Sequence, residues 1–393
     1  MDTSNENPPQ NESEIPATSD QVPEVMRDDV TERTIVDEPQ DSQDSVDAYS
    51  GWRALLEMFK RPGIGIALVW VVVLIAEQVV VTIGAAVFAV VGIALSGQPM
   101  NGPNISKTME AAMESWMLPV ISFSTMAFAF LVVVLLFGRQ TARCMGFRGM
   151  TVTQTVTILM LALPMAVLTS EFANLVSHLF PKMEMPEIFA NFAKQPVVLV
   201  FCAGCLFPGV GEELFFRGFL SRGLVSRHGV AWGTFFTAFL FGAVHLHPIQ
   251  ASGAFFLGLT LQMVFLTTQS LWGAILLHTA NNALAFAAML YGELMPIPGF
   301  TMASETEIMH SPPLLVLVAA LTVGMMSFVL HQTRTQWLLP DGKVWSRGFV
   351  TSEGPPLGAE AKCVAPWIGL RELVGACVMY AAFLLTLAYY IES

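Results

Sequence analysis

Long apolar runs are the feature that most limits the folds open to this chain. Several stretches of about 20 residues are nearly free of charge, and a helix of that length crosses a hydrocarbon core of about 30 Å. Only 13% of the 393 residues are charged, compared with about 25% in soluble domains. The sequence therefore predicts an all-α fold, a polytopic membrane bundle of about eight or nine transmembrane helices.

Nine candidate spans can be drawn from these runs, with boundaries uncertain by several residues. The fifth, sixth and seventh spans are short and joined by very short loops, so these neighbours should pack antiparallel. The predicted spans cover residues 63–95, 116–137, 152–179, 197–225, 230–247, 252–268, 270–291, 312–331 and 366–391.

The negative charge of the chain is confined to its first 50 residues. Residues 1–50 hold 14 of the 31 acidic residues and two arginines, so the rest of the chain has no net charge. A segment this polar cannot bury enough apolar surface to offset its chain entropy, and it is predicted to be a disordered acidic tail. No basic patch suggests a nucleic-acid partner.

Lys and Arg in the loops predict the orientation of the spans. They accumulate before the first span, after the second and fourth spans, and between the last two spans. The segment between the last two spans, 332–365, is rich in turn signals and should be an irregular cytoplasmic loop. The opposite loops hold few cations. The sequence predicts an integral, multi-pass protein of a bacterial-type plasma membrane, with a cytoplasmic N-terminus.

Three polar residues interrupt the fourth span. Glu212, Glu213 and Arg217 lie in a run that otherwise reads as a membrane helix, where each charge costs roughly 2.5–3.5 kcal/mol by insertion scales. Glu213 and Arg217 are four residues apart and share a helix face, so they can neutralise each other, whereas Glu212 is turned about 100° away. Pro208, one turn earlier, should kink the helix.

Two further spans carry polar residues at helical spacing. Phe241 and His245 are four residues apart in the fifth span, and His278 and Asn282 are four apart in the seventh. Counted from the cytoplasmic ends of their helices at 1.5 Å per residue, Glu212 and these polar residues fall in one middle slab of the membrane. They can therefore converge on one cavity.

Such a set suits hydrolysis. A buried carboxylate can take a proton from water, an imidazole can hold that water or bind a metal, and an imidazole and a carboxamide can donate hydrogen bonds to an oxyanion. A structural role is the alternative, and it is favoured for the Glu213–Arg217 pair and for the isolated intramembrane carboxylates Glu77 and Glu171. The five cysteines give no disulfide framework, and Cys202 and Cys205, a C-x-x-C pair within an apolar helix, read as small packing residues.

The three motifs together resemble the CPBP family of intramembrane proteases, the CAAX proteases and bacteriocin-processing enzymes. The family pattern is E-E-x-x-x-R, then F-x-x-x-H, then H-x-x-x-N or D, and all three occur here in order. The resemblance covers residues 155–331. It implies a CAAX-protease-like catalytic membrane core at 151–331, with two accessory helices in 51–150 and an additional C-terminal helix in 366–393.

The resemblance also implies roles. Glu212 would be the general base, His245 would position the attacking water, and His278 and Asn282 would stabilise the oxyanion. Supporting roles would fall to Glu213, Arg217 and Phe241. The cofactor remains open between Zn²⁺, held by Glu212, His245 and His278 as in a metalloprotease, and none, because the H-E-x-x-H zinc motif is absent.

The leading hypothesis is an endopeptidase that hydrolyses a membrane-associated or lipid-modified, CAAX-like protein or peptide. Its partners would be the lipid bilayer and that substrate. Two alternatives stay open. A non-catalytic immunity or scaffold protein of the same fold would tolerate loss of Glu212 and His245, and a transporter or proton relay would move its substrate without cleaving it.

Overall fold

The computed structural model describes residues 51, 53–180, 183, 187–292, 297, 299, 309–346, 355–356, 358–365 and 368–392. The predicted disordered tail, residues 1–50, lies outside the described residues.

Helices dominate the described part of the chain, as the apolar runs predicted. Eight of them are long and apolar enough to cross a membrane, and the chain is accordingly a multi-pass membrane protein. They are α1 (Ile64–Leu95), α2 (Gly102–Gln140), α3 (Val152–Ser177), α4 (Val197–Ala243), α5 (Pro248–Thr268), α6 (Leu271–Tyr291), α7 (Pro313–Gln332) and α8 (Leu370–Glu392).

Helix α4 joins two of the nine predicted spans into one element of 47 residues. Its backbone leaves helical geometry at Gly229, where φ is 77° and ψ is 171°, a conformation that favours glycine. The chain folds back at this point. The close approach of Gly233 to Val225 shows this, since a Cβ on Gly233 would lie only 2.5 Å from the Cα of Val225. Residues 197–228 and 230–243 therefore form two arms, which correspond to predicted spans four and five.

Helix α3 is the centre of the bundle. It packs against α5, α6 and α7, and 44% of its most apolar window is buried, compared with 17% in α1 and in α8. Its start is fixed by a capping box, in which the Thr151 hydroxyl accepts from the Gln154 amide and the Gln154 side chain accepts from the Thr151 amide. Helices α1 and α8 expose most of their apolar side chains, which suits contact with lipid.

The first arm of α4 packs between α2 and α6 and is irregular along its length. Two stretches, Phe201–Leu206 and Leu214–Leu220, are π-helical, and the α-helical turns between them contain Pro208 and the two glutamates. π-helical turns inside α-helices are frequent at functional sites. The kink expected from Pro208 is thus accompanied by a wider change in helix geometry.

The segment after α7 differs from the irregular loop predicted for it. Three short strands, β1 (Thr335–Leu338), β2 (Val344–Ser346) and β3 (Glu360–Cys363), form an antiparallel sheet in the order β2-β1-β3. Each strand has only three or four residues, so the polar–apolar alternation of β3, Glu-Ala-Lys-Cys, is too short to be distinctive in the sequence. Backbone pairing, which leaves no sequence pattern in strands this short, organises the segment.

Candidate active site

Glu213 is the hub of the polar cluster between α4 and α6. Its side chain is fully buried, and one oxygen, Oε1, lies 2.7 Å from Arg217 Nη1 and 2.8 Å from His278 Nδ1. A buried carboxylate is stable only when it is paired and hydrogen-bonded. The predicted contact between Glu213 and Arg217 is present, and His278 is a second partner from another helix.

Arg217 is fully buried as well, and three elements neutralise or cover its guanidinium. Besides the bond to Glu213, Nη2 donates to the carbonyl of Gly258 in α5 at 3.0 Å. The guanidinium carbon lies 4.3 Å from the centre of the Phe241 ring, within the range of a cation–π interaction. Arg217 therefore connects α4 to α5 and to the second arm of α4.

Glu212 is the more accessible of the two glutamates. Its side chain is 18% exposed, and its Oε2 lies 3.9 Å from His278 Nε2. That separation is too long for a direct hydrogen bond. Oε2 of each glutamate lacks a hydrogen-bond partner among the described residues, but Oε1 of Glu213 is bonded to both Arg217 and His278. Glu212 thus differs from Glu213 in that its charge is not already satisfied by neighbouring side chains.

Phe241 contacts both histidines of the cluster. Its ring meets the His245 ring and the His278 ring edge to face, at centroid distances of 5.4 and 5.6 Å. His245 Nδ1 lies 3.0 Å from the Phe241 carbonyl oxygen, and the His245 imidazole makes no hydrogen bond or ion pair with Glu212 among the described residues. The structure places His278, rather than His245, beside Glu212.

Asn282 lies one turn beyond His278 on α6 and contacts α4. Its Nδ2 donates to the Gly204 carbonyl oxygen at a long distance of 3.4 Å. In an α-helix that carbonyl would accept from the backbone amide four residues later, but this residue is Pro208, which has no N–H. The proline therefore leaves a carbonyl that the carboxamide can reach.

Glycines allow the helices around the cluster to approach closely. A Cβ on Gly209 would lie 2.4 Å from the Thr279 hydroxyl oxygen in α6, and one on Gly211 would lie 2.7 Å from the Cα of Met126 in α2. Small residues permit this spacing between membrane helices. The glutamates are thus held on a helix that is in backbone contact with two neighbours.

Residues 194–284 match one family model, described as Rce1-like, type II CAAX prenyl endopeptidase. The matched residues include all three motifs, from Glu212 to Asn282. The match agrees with the resemblance to the CPBP family over these residues. The match is narrower than the resemblance over 155–331 and spans α4, α5 and most of α6. Searches of curated proteins and of solved structures each found no match to this chain.

The donor groups of this cluster do not fit the predicted metal site. No group of three or more His, Cys, Asp or Glu side chains in the described part of the chain is arranged to hold a metal ion. His278 directs Nδ1 at Glu213, and His245 forms no hydrogen bond or ion pair with Glu212 in the described structure. The set Glu212, His245 and His278 therefore does not converge as ligands must.

Three residues in this part of the core were not predicted from the sequence. They are Gly258, whose carbonyl accepts from Arg217, Thr279, whose buried hydroxyl faces Gly209, and Gln262, a fully buried polar residue one turn after Gly258. Gln262 was detectable in the sequence as a polar residue within an apolar span. Glycine carbonyls and a lone threonine carry no comparable signal.

The two isolated intramembrane carboxylates have partners outside the CPBP motifs. Glu77 in α1 accepts a hydrogen bond from the Thr125 hydroxyl in α2 at 3.4 Å. Glu171 in α3 contacts His310 Nδ1 at 2.7 Å and the Ser311 amide at 2.8 Å. Both contacts agree with the structural role favoured for these residues.

Proposed function

We propose that this chain is an intramembrane endopeptidase that hydrolyses a peptide bond of a membrane-associated or lipid-modified protein. The observation that supports it most is the contrast between the two glutamates. Oε1 of Glu213 is bonded to both Arg217 and His278, whereas Glu212 is partly exposed and makes no hydrogen bond among the described residues, although its Oε2 lies 3.9 Å from His278 Nε2. A scaffold would gain nothing from such a carboxylate, because burying it without a partner costs free energy.

The attacking water would be held between Glu212 and His278. Since Nδ1 of His278 donates its hydrogen to Glu213, the neutral ring has its lone pair on Nε2, facing Glu212. One water can bridge Glu212 Oε2 and His278 Nε2 across 3.9 Å by donating one hydrogen to each. This proposal moves His278 from the oxyanion role implied by the family motif to the positioning of water.

The reaction would then follow general acid–base chemistry. Glu212 takes a proton as the water oxygen attacks the peptide carbonyl carbon, and it returns that proton to the leaving amine when the C–N bond breaks. Asn282 is the neutral donor for the oxyanion, because its present bond to the Gly204 carbonyl is long and easily exchanged. His245, whose Nδ1 bonds the Phe241 carbonyl oxygen, keeps Nε2 for a substrate group.

The substrate class follows from the setting of the site. All reacting groups lie on apolar helices whose outer faces expose side chains such as Phe201 and Trp272, so a substrate would arrive from the bilayer. The matched family model is described by its action on CAAX prenyl proteins. A prenylated or otherwise lipid-anchored peptide is therefore the first class to examine.

Comparison of membrane proteomes tests the proposal. Membranes that carry the wild-type chain should contain new peptide termini that are absent when Glu212→Gln replaces it, and the uncleaved precursor should accumulate. The Glu77→Gln variant, which alters an intramembrane carboxylate outside the cluster, should behave as the wild type. Identical sets of termini in all three membranes would contradict the protease function.

A further inference from the structure

A cavity with two basic side chains in its lining lies at the end of the bundle that is predicted to be cytoplasmic. It has a volume of about 540 Å³ and lies between the start of α3 and the small sheet. Its lining includes Arg148, Thr151 and Gln154 from the α3 side, and Thr335, Lys362 and Cys363 from β1 and β3. None of the described residues that line it is acidic, and none belongs to the candidate active site.

Arg148 is a cation that forms no ion pair with a carboxylate among the described residues. Its Nε donates to the Gln269 carbonyl at 2.8 Å and its Nη2 donates to the Thr268 carbonyl, so Nη1 is left without a hydrogen bond among the described residues. Its guanidinium also lies over Trp337, 5.7 Å from the ring centre. Burial lowers the pKa of Arg148 to about 10, as expected for a charge whose desolvation is not offset by a carboxylate.

Lys362 is the second cation of the cavity. It sits on β3 opposite Gln336 of β1, is exposed, and forms no ion pair with a described carboxylate. Lys343, in the turn between β1 and β2 of the same sheet, differs because it pairs with Asp341 at 3.2 Å. The sheet thus holds one neutralised lysine away from the cavity and one unpaired lysine at its wall.

Two features indicate that the two cations of this cavity bind an anion at the membrane surface. The cavity adjoins the N-terminus of α3, a helix of 26 residues whose dipole adds positive potential there. Near it, the exposed ring of Trp272 contacts Phe147 at a centroid distance of 5.5 Å, and tryptophan is enriched at the level of lipid headgroups. Basic pockets at the cytoplasmic ends of membrane helices are suited to anionic lipid headgroups.

We propose that this cavity binds the phosphate of an anionic lipid, with Arg148 and Lys362 contacting its oxygens. Phosphate from solution offers the same chemistry, so the two sources must be separated by experiment. Binding there would connect the 148–151 loop, α5 through its last carbonyls, and the sheet after α7. The site is independent of the proposed peptidase activity.

Binding of lipid to the purified full-length chain tests the proposal. Native mass spectrometry in detergent should show one saturable site for dioleoylphosphatidylglycerol and none of comparable affinity for dioleoylphosphatidylcholine. Lys362→Gln should weaken phosphatidylglycerol binding about five-fold, the effect of one cation near a charged headgroup. Lys343→Gln, the matched control on the same sheet, should change it less than two-fold.

Three results would overturn the proposal. They are equal binding of the two lipids, equal affinity of wild type and Lys362→Gln, and inorganic phosphate that binds more tightly than phosphatidylglycerol and displaces it. Arg148 also donates a hydrogen bond at the end of α5, so Arg148→Gln could lower the stability of the fold. Its lipid binding must therefore be interpreted together with its melting curve. Lys362, which makes no packing contact of this kind, is therefore the decisive position.

Discussion

His278 Nδ1 lies 2.8 Å from Glu213 Oε1, a contact between residues 65 positions apart that fixes the imidazole of α6 against α4. The same oxygen accepts from Arg217, so one carboxylate positions both a cation and a ring. The consequence for chemistry is the orientation of His278, whose remaining nitrogen faces Glu212. Glu213 thus acts through His278 and not on a substrate.

Breaking the Glu213–Arg217 pair should destabilise the fold strongly. Glu213→Gln leaves Arg217 as an uncompensated buried charge, and Arg217→Met leaves the carboxylate, so each variant should lose about 3–5 kcal/mol of unfolding free energy. The double variant should lose less than the sum of the two. Reversible unfolding in mixed micelles measures all three. Additive losses would show that the two side chains are not coupled.

Gly209 should not tolerate a side chain. Gly209→Ala places a methyl group against the Thr279 hydroxyl and should cost about 1–3 kcal/mol through overpacking. Thr279→Ala in the same chain should recover most of that loss, since it removes the clashing oxygen. Thermal unfolding of the single and double variants provides the measurement. Gly84→Ala, at a position with open space around it, is the control, and a loss of equal size there would argue against the contact.

The sequence predicted the helices well because long apolar runs have few alternatives in a membrane. It also predicted the Glu213–Arg217 contact, which is local to one helix. What it could not predict was which histidine lies beside Glu212. The sequence predicted that His245 and His278 lie at a similar depth in the membrane. Which of the two side chains points at Glu212 depends on the rotation of the helices, on the π-helical turns of α4 and on the close approach of α6 at Gly209.

The hairpin at Gly229 and the sheet after α7 illustrate the same limit. Both spans of the hairpin were predicted, but nothing in the sequence showed that they are continuous through a glycine with positive φ. The strands of the sheet have too few residues for a period of two to be visible. Pairing across the chain, not local pattern, decides such features.

The two histidines should differ in their importance for catalysis. His278→Ala removes the group beside Glu212 and should lower turnover by at least about 100-fold, within the range for acid–base groups. His245→Ala, which removes a ring that does not contact Glu212, should lower it by less than about 10-fold. Initial rates on one substrate compare the variants. A larger loss in His245→Ala than in His278→Ala would restore the roles implied by the family motif.

Chelation should leave the activity intact. Because Glu212, His245 and His278 do not converge as a set of three ligands, treatment with 1,10-phenanthroline or EDTA should retain most of the wild-type rate. A known zinc peptidase assayed in parallel verifies that the chelators are active under these conditions. Loss of the rate on chelation, with recovery on addition of Zn²⁺, would contradict the metal-free proposal.

The central claim is that Glu212 carries the hydrolysis while the rest of the cluster holds it in place. Its most direct test is the single-turnover rate of purified protein in proteoliposomes, on a peptide identified by comparison of membrane proteomes. Glu212→Gln should cut that rate by at least about 100-fold and leave the melting temperature unchanged, whereas Glu77→Gln should keep the wild-type rate. A Glu212→Gln protein that cleaves the peptide at the wild-type rate would contradict the claim.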